Sequence, residues 1–462
     1  MHNDARQRMV VLGLDGLPLD LARDLCAAGR TPHLSRIVNA AGTRTIEAEL
    51  PELSPVNWTS FYTAAGPEEH GVFGFTRINA TTYALSLADF TQVRVPTLFD
   101  RLGEAGFTSR VVNLPNTYPA RPIPGMLVSG FVATDLARAV HPPFLLGPLA
   151  GAGYRLEADT SRGGDDPAHL LVELRATLES RRKALRLLWP DLAWHLFVFV
   201  LTETDRLFHF LWDAVTDVAN PLHGPCMDVL ALWDTVIGEV LDLVAALPGG
   251  ARLMVLADHG FTRLVTEVDI NTWLRQEGLL QLAPAGPAAD AGMELDASRI
   301  LPGSVAFALD PGRIYLHTRR RFARGGLSDA EGVALAARLR EGLLGLTYAG
   351  RPVLRDVLPA DGLYDGPCRD IAPDLVCVPH EGFDLKAKFN RPAVFGRFGR
   401  TGTHSVHGGI FHDSEGGAPH RLRDAGRLVL EHFGLSRRPD AGGRLVTTPT
   451  QGASCMPITM HK

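Results

Sequence analysis

The chain has 462 residues, 45% of them hydrophobic and 21% charged, and a net charge of −5 at pH 7. That composition is ordinary for a soluble globular enzyme, with room for one large α/β domain or two to three average ones. The acidic balance gives no basic surface, which excludes a nucleic acid polymer as a bulk partner.

The chain is polar up to Met9 and then apolar for only five residues, Val10–Leu14, before Asp15. That is too short for a secretory core and reads as a first strand. Thr31-Pro32 opens a helix, with Thr as N-cap and Pro at the first helical position. After Ser54-Pro55 a helical pattern runs from near Asn57 to Ala65, and Val95-Pro96-Thr97 opens another helix that Gly106 closes. Arg110–Leu114 is the next strand. Pro167 to Leu188 repeats Leu at helical spacing until Trp189-Pro190 stops it. The strands His195–Leu201, Arg252–Ala257 and Asp374–Val378 follow. Strands alternating with helices predict an α/β fold, a mostly parallel sheet covered on both faces.

The most apolar later stretch, Leu192 to Leu201, is about half of the roughly 20 residues that a membrane span requires, so no span is expected. Five widely spaced cysteines, Cys26, Cys226, Cys368, Cys377 and Cys455, form neither a CxxC pattern nor a disulfide framework. They favour a reducing, cytoplasmic setting. Leu282–Ser298 is rich in Ala, Pro and Gly and reads as a linker. Beyond it, Ser304–Leu309 and Arg313–His317 form a hairpin about Asp310-Pro311-Gly312, the start of a small inserted cap within residues 281–360. The main domain is expected over residues 1–435 and a loose tail over 436–462.

Seven residues spread over this chain carry the chemistry: Asp15, Ser54, Asp205, His209, Asp258, His259 and His404. Asp15 ends a strand and is followed by Gly, the place where an α/β fold gathers catalytic groups, although such an Asp is also an ordinary turn former. Asp205 and His209 are spaced i,i+4 after an apolar strand. On a helix they share one face and can bind one ion, or else serve as an N-cap and a packed histidine. Asp258-His259-Gly260 follows another strand and reads as a ligand pair or an exposed turn. His404 lies between glycines, with His407 as a rival, whereas His195 reads as a packed histidine. Ser54 stands before a helix start, whose free N–H groups and positive dipole end suit an anionic oxygen, or it is simply a cap. Thr59, Ser60 and Thr63 are rival hydroxyls inside that helix.

Taken in order, GLDG, SPVNWTSFYT followed by GPEEHG, TDxxxH, ADHGF and GTHxxxG resemble the alkaline phosphatase superfamily. The resemblance is greatest to its type I phosphodiesterase/nucleotide pyrophosphatase branch, and PDLVCVPHEGFDLKAKF is similar to bacterial members. It covers Met9 to Phe433. It implies a three-layer sandwich with a central, mostly parallel sheet, helices on both faces and a small inserted cap. It also implies two divalent ions, zinc or manganese, one held by Asp15, Asp258 and His259 and the other by Asp205, His209 and His404. Ser54 falls where the family has its Thr or Ser nucleophile.

Two departures stand out. Phe75 occupies the place of a phosphoryl-contacting Asn, for which Asn57 is the candidate substitute, and Ala64 replaces a common Gly. The expected activity is two-metal hydrolysis of a phosphodiester or pyrophosphate through a phosphoseryl intermediate on a small-molecule or nucleotide-type substrate. The alternatives are a phosphomonoesterase, a phosphonate hydrolase or mutase on the same core, or a non-catalytic binding protein. A sulfatase is not expected, because Ser54-Pro55-Val56-Asn57-Trp58 lacks the CxPxR pattern. No basic residue is close to Ser54 in sequence, which favours diesters, with Lys386 and Lys388 as the candidates to reach the site from afar. Substrate choice is assigned to Phe75–Val93, Phe131–Arg162 and Leu282–Ala323. Phe75, Tyr83, Phe90, Trp212 and Phe261 read as packing aromatics rather than base-stacking ones.

Overall fold

The computed structural model of the protein describes residues 7–284, 294–439 and 445–449. Its first strand, Met9–Leu14, shows how the sheet is covered. Val10, Leu12 and Leu14 enter one apolar core while Met9 and Val11 enter another, the period-two alternation of a strand buried on both faces.

Five strands run parallel across the middle of an eight-stranded sheet, in the order Arg252–Leu256, Met9–Leu14, Leu196–Leu201, Ser109–Leu114, Gly125–Ser129. Antiparallel strands close it, Gly409–Asp413 and Arg44–Ile46 on one side and Val140–His141 on the other. Helices Leu19–Ala27, Pro167–Leu188, Glu203–Thr216 and His223–Ala245 cover the first face. Helices Ser54–Thr63, Leu98–Glu104 and Leu422–His432 cover the second. This is the expected three-layer sandwich.

A second lobe has its own apolar core, separate from the two that flank the large sheet. Its core runs from Val268 to Val394 around a four-stranded antiparallel sheet: Ala306–Leu309, Arg313–Leu316, Leu375–Pro379 and Leu354–Pro359. The hairpin about Asp310-Pro311-Gly312 forms as expected, with Leu309 opposite Arg313. Leu375–Pro379 belongs to this second sheet, because an apolar run specifies a buried strand but not its neighbours. A hairpin, Thr76–Ile78 with Leu85–Leu87, docks on the lobe through Tyr83, whose hydroxyl is 2.5 Å from His317 Nε2.

Three local expectations change. After Thr31-Pro32 there is only a one-turn helix, Ser35–Val38. Its neighbouring N–H groups, those of His33 and Leu34, are satisfied by the Asp234 carboxylate of a distant helix rather than by Thr31. The helix expected from Asn57 begins at Ser54 and ends at Thr63. The tail is not wholly loose: Leu435–Pro439 pairs antiparallel with Leu445–Pro449. Residues 440–444 and 450–462, Cys455 among them, and 285–293 of the linker lie outside the described residues. Among the described residues no helix is long and apolar enough to cross a membrane.

Candidate active site

The site forms at the carboxyl ends of the central strands, where parallel strands leave their last side chains free. Asp15 directly follows Met9–Leu14, and Asp258 and His259 follow Arg252–Leu256. Helix Glu203–Thr216 starts two residues after Leu196–Leu201 and presents Asp205 and His209 one turn apart. His404 comes from strand Gly402–Ser405, which pairs antiparallel with Gly260–Arg263 and sets His404 opposite Phe261. Ser54 is the first residue of its helix, and Pro55 follows where a missing N–H costs nothing. Gly16, at φ +68°, turns the chain so that its N–H reaches Asp258 Oδ1 at 3.2 Å.

The six candidate ligands fall into two groups, Asp15/Asp258/His259 and Asp205/His209/His404, with the donor atoms of each group within 4.8 Å of one another. Ser54 Oγ is 3.4 Å from Asp15 Oδ1 and 3.3 Å from His259 Nε2. All seven expected residues therefore meet at one place, and all but His404 are buried.

The side chains fit divalent cations. Nδ1 of His404 donates to the Glu52 carbonyl at 2.9 Å, Nδ1 of His259 to the Gly260 carbonyl at 2.9 Å, and Nδ1 of His209 to the Gly402 carbonyl at 3.4 Å. These bonds fix the tautomers and leave each Nε2 lone pair facing inward. Nε2 of His404 and Nε2 of His209 then face each other at 3.0 Å, two acceptors with no proton between them, which a cation resolves. Asp258 Oδ2 is buried without a hydrogen-bond partner, the mark of a group that serves something other than protein.

The electrostatics agree. Burial, then Asp258 and Asp205, push the Asp15 carboxyl well above its ordinary value. Burial and Asp205 push Asp258 up to about 6. Burial acts on Asp205 too, but His209, Arg206 and His404 outweigh it and hold Asp205 well below the usual range. Burial pushes His209, His259 and His404 down, keeping the imidazoles neutral as ligands must be. Three carboxylates packed this closely repel one another until positive charge is supplied.

Around this set stand residues that the sequence reading missed. Arg206 pairs with the Asp205 carboxylate and, at 3.2 Å, with Glu157, and lies 4.3 Å over the Phe131 ring. The surroundings are thus not free of cations, although this one is already matched by two carboxylates. Its signal was its place next to Asp205, whereas Glu157 sits in a loop that no local pattern marks. Trp58 Nε1 donates to Asp15 Oδ2 at 3.2 Å, and Ser54 and Trp58, spaced i,i+4, share a helix face. Gly13 makes room for that indole, since a Cβ there would lie 2.6 Å from the Trp58 ring. Trp58→Phe should keep the fold but weaken any metal binding by the group that contains Asp15 about tenfold or more, read as metal content on titration with a chelator. Unchanged retention would remove Trp58 from the site.

Asn57 does not fill the place of the missing Asn. Its Oδ1 accepts from the Glu49 N–H at 2.6 Å and its Nδ2 donates to the Leu53 carbonyl at 3.1 Å, so both ends are spent on the loop before Ser54. The N–H groups of the helix start are fewer than expected, because those of Val56 and Asn57 both bond the Leu53 carbonyl and Pro55 has none. Lys388 is held by Asp310 at 2.7 Å and Lys386 by Asp384 at 2.8 Å. Lys386 still bears on His209, together with Arg400. Tyr83, Phe90 and Phe261 are packed, as expected. Phe75 is only partly buried and meets Phe131 edge-on at 5.7 Å, between ring centroids.

Comparison with known proteins bears on the fold and the family. The family model described as type I phosphodiesterase/nucleotide pyrophosphatase matches residues 9–409. Phosphonoacetate hydrolase from Sinorhizobium meliloti 1021 superposes with a TM-score of 0.60 at 19% identity, over 92% of this chain and 96% of that one. Murine ectonucleotide pyrophosphatase/phosphodiesterase 5 gives 0.56 at 13%, over 97% and 98%. The alkaline phosphatase PafA gives 0.55 at 13%, over 92% and 95%. No curated protein sequence matches. The protein is a hydrolase belonging to the type I phosphodiesterase/nucleotide pyrophosphatase family.

Proposed function

We propose that the protein hydrolyses a phosphodiester or pyrophosphate bond of a small-molecule substrate through a phosphoseryl intermediate on Ser54, with two divalent ions, zinc or manganese, as cofactors. The observation that carries this reading is the position of Ser54 Oγ, 3.4 Å from Asp15 and 3.3 Å from His259, inside one ligand group and beside the other. Bound to these groups, the ions supply the positive charge that lowers the pKa of the Ser54 hydroxyl and neutralises phosphoryl oxygens.

Ser54 Oγ bonds to phosphorus as the bond to the leaving oxygen breaks, and its proton ends on that oxygen, which departs as the alcohol. Water then attacks phosphorus, the bond to Oγ breaks, one water proton returns to Ser54 and the water oxygen stays on phosphorus, so a diester gives a monoester. Asp15 is kept in place for this by Trp58, Asp258 by the Gly16 N–H, and Asp205 by Arg206. With Asn57 and most of the helix-start N–H groups already bonded, few protein donors remain for the extra charge of a monoester. Arg206 is likewise matched, which supports diesters.

The test is to strip the purified protein with a chelator and reload it with zinc or manganese. Two ions per chain and a preference of about tenfold or more for bis-p-nitrophenyl phosphate over p-nitrophenyl phosphate are expected. A preference for the monoester would establish the phosphomonoesterase reading instead. Retention of fewer than about one ion per chain would favour a binding protein.

A further inference from the structure

The two oxygens of Asp205 have different partners. Oδ1 faces three imidazoles, 3.1 Å from His404 Nε2, 3.4 Å from His209 Nε2 and 3.8 Å from His259 Nε2, while Oδ2 pairs with Arg206. Whatever fixes Arg206 therefore decides which oxygen is left for a metal ion. A cation this close to a ligand group also repels the ion unless its own charge is matched.

Glu157 meets both needs. Its Oε2 lies 3.2 Å from Arg206 Nη2, and among the described residues Arg206 has only Glu157 and Asp205 within ion-pair distance. The guanidinium thus bridges two carboxylates, one on each terminal nitrogen, with the Phe131 ring over it at 4.3 Å. Oε1 of Glu157 accepts from the Ala158 N–H at 3.1 Å and from the Thr202 hydroxyl at 3.4 Å, at the start of the helix that carries Asp205.

Glu157 itself belongs to neither a helix nor a strand, yet its stretch is fastened from both sides to helix Pro167–Leu188. The Arg155 N–H donates to the Ser180 hydroxyl at 3.2 Å, and the Asp159 N–H donates to Glu173 at 3.1 Å. Arg181 donates to the carbonyls of Arg155 and, at 2.8 Å, of Leu156. The charge of Arg181 is met separately by Glu203 at 3.6 Å, which leaves Glu157 to Arg206. Holding irregular backbone this firmly costs conformational entropy, and what it fixes is one carboxylate behind a ligand's partner.

We propose that Glu157 is a positioning residue for the group formed by Asp205, His209 and His404: through Arg206 it turns Asp205 Oδ1 inward and cancels the guanidinium charge. The inference rests on the two-metal reading.

The test takes Asp258→Asn as parent, in which only the Asp205 group keeps three protein donors. Zinc affinity is read by competition with a chelator, and the melting temperature of the chelated proteins checks the fold. Glu157→Gln, which keeps the volume and an acceptor for Ala158 and Thr202, should weaken zinc binding about tenfold. Arg206→Lys should weaken it by about the same factor although the charge is kept, because an ammonium lacks the planar fork that grips two carboxylates. Glu157→Gln added to Arg206→Lys should then cost less than about twofold more, since the two act as one unit. Unchanged affinity in either single variant would overturn the inference. So would an equal loss from Glu157→Gln in both backgrounds, the result of a charge acting at a distance rather than through Arg206. If Glu157→Gln does not fold, Arg206→Lys alone decides in the same way. A wild type that binds neither zinc nor manganese would instead sink the two-metal reading, and the inference with it.

Discussion

Ser54→Ala is expected to lower turnover of a phosphodiester by at least about a thousandfold while both ions stay bound. The first half follows from the neighbouring hydroxyls, all of which are committed. Ser60 Oγ bonds His70 Nε2 at 2.9 Å, Thr59 Oγ1 lies 3.1 Å from the Tyr62 hydroxyl, and Thr63 Oγ1 donates to the Thr59 carbonyl at 2.6 Å. With Ser54 gone, no hydroxyl of that helix is placed to attack phosphorus. The second half follows from the ligand count, because three protein donors remain in each group without the serine. Acid quenching during turnover should trap the substrate's phosphoryl group, still carrying its remaining ester, on Ser54 in the wild type and none in the variant. Wild-type turnover in the variant, or an unlabelled wild-type enzyme, would show that water attacks phosphorus directly.

What the sequence revealed of this site depended on locality. Asp15 and Asp258 were readable because each stands directly behind an apolar strand, and Asp205 with His209 because the helical repeat fixes i,i+4 neighbours. His404 is different in kind. Its strand is short and only partly buried, and its place is set by pairing with Gly260–Arg263, about 140 residues earlier, which periodicity cannot express. Order along the chain and likeness to a family supplied that link. Asn57 misled for a related reason: nearness to Ser54 in sequence says nothing about the direction of a side chain, and here the loop's own N–H and carbonyl groups claim it. The strand Leu375–Pro379 was readable as a strand but not as a member of the second sheet, since sheet membership is a tertiary choice.

Asp258→Asn is expected to do two opposite things: stabilise the metal-free protein and abolish the stabilisation that metal confers. Asp258 is fully buried, its Oδ2 has no hydrogen-bond partner, and burial together with Asp205 raises its pKa from 3.8 to about 6. An acid whose pKa is higher in the folded state contributes stability below its unfolded value, and that contribution is lost as pH rises through the folded value. For Asp258 the window lies between about 4 and about 6, and Asp15 acts in the same direction while Asp205, held low, acts in the opposite one. Above pH 6 the wild type without metal therefore carries a repulsion that asparagine removes, while Oδ1 of the amide still accepts the Gly16 N–H. The chelated variant should melt higher than the chelated wild type at pH 7.5, and the gap should close as the pH falls towards 4. Added zinc reverses the order. A free ion concentration a thousand times Kd stabilises the wild type by about 4 kcal/mol per site, a gain that grows as pH rises through the Asp258 pKa because the ligand must be deprotonated. The variant, left with two donors in that group, should gain from one site only. If the chelated variant melts lower than the chelated wild type across the whole pH range, Asp258 is a structural carboxylate, and the group formed by Asp15, Asp258 and His259 is not a metal site.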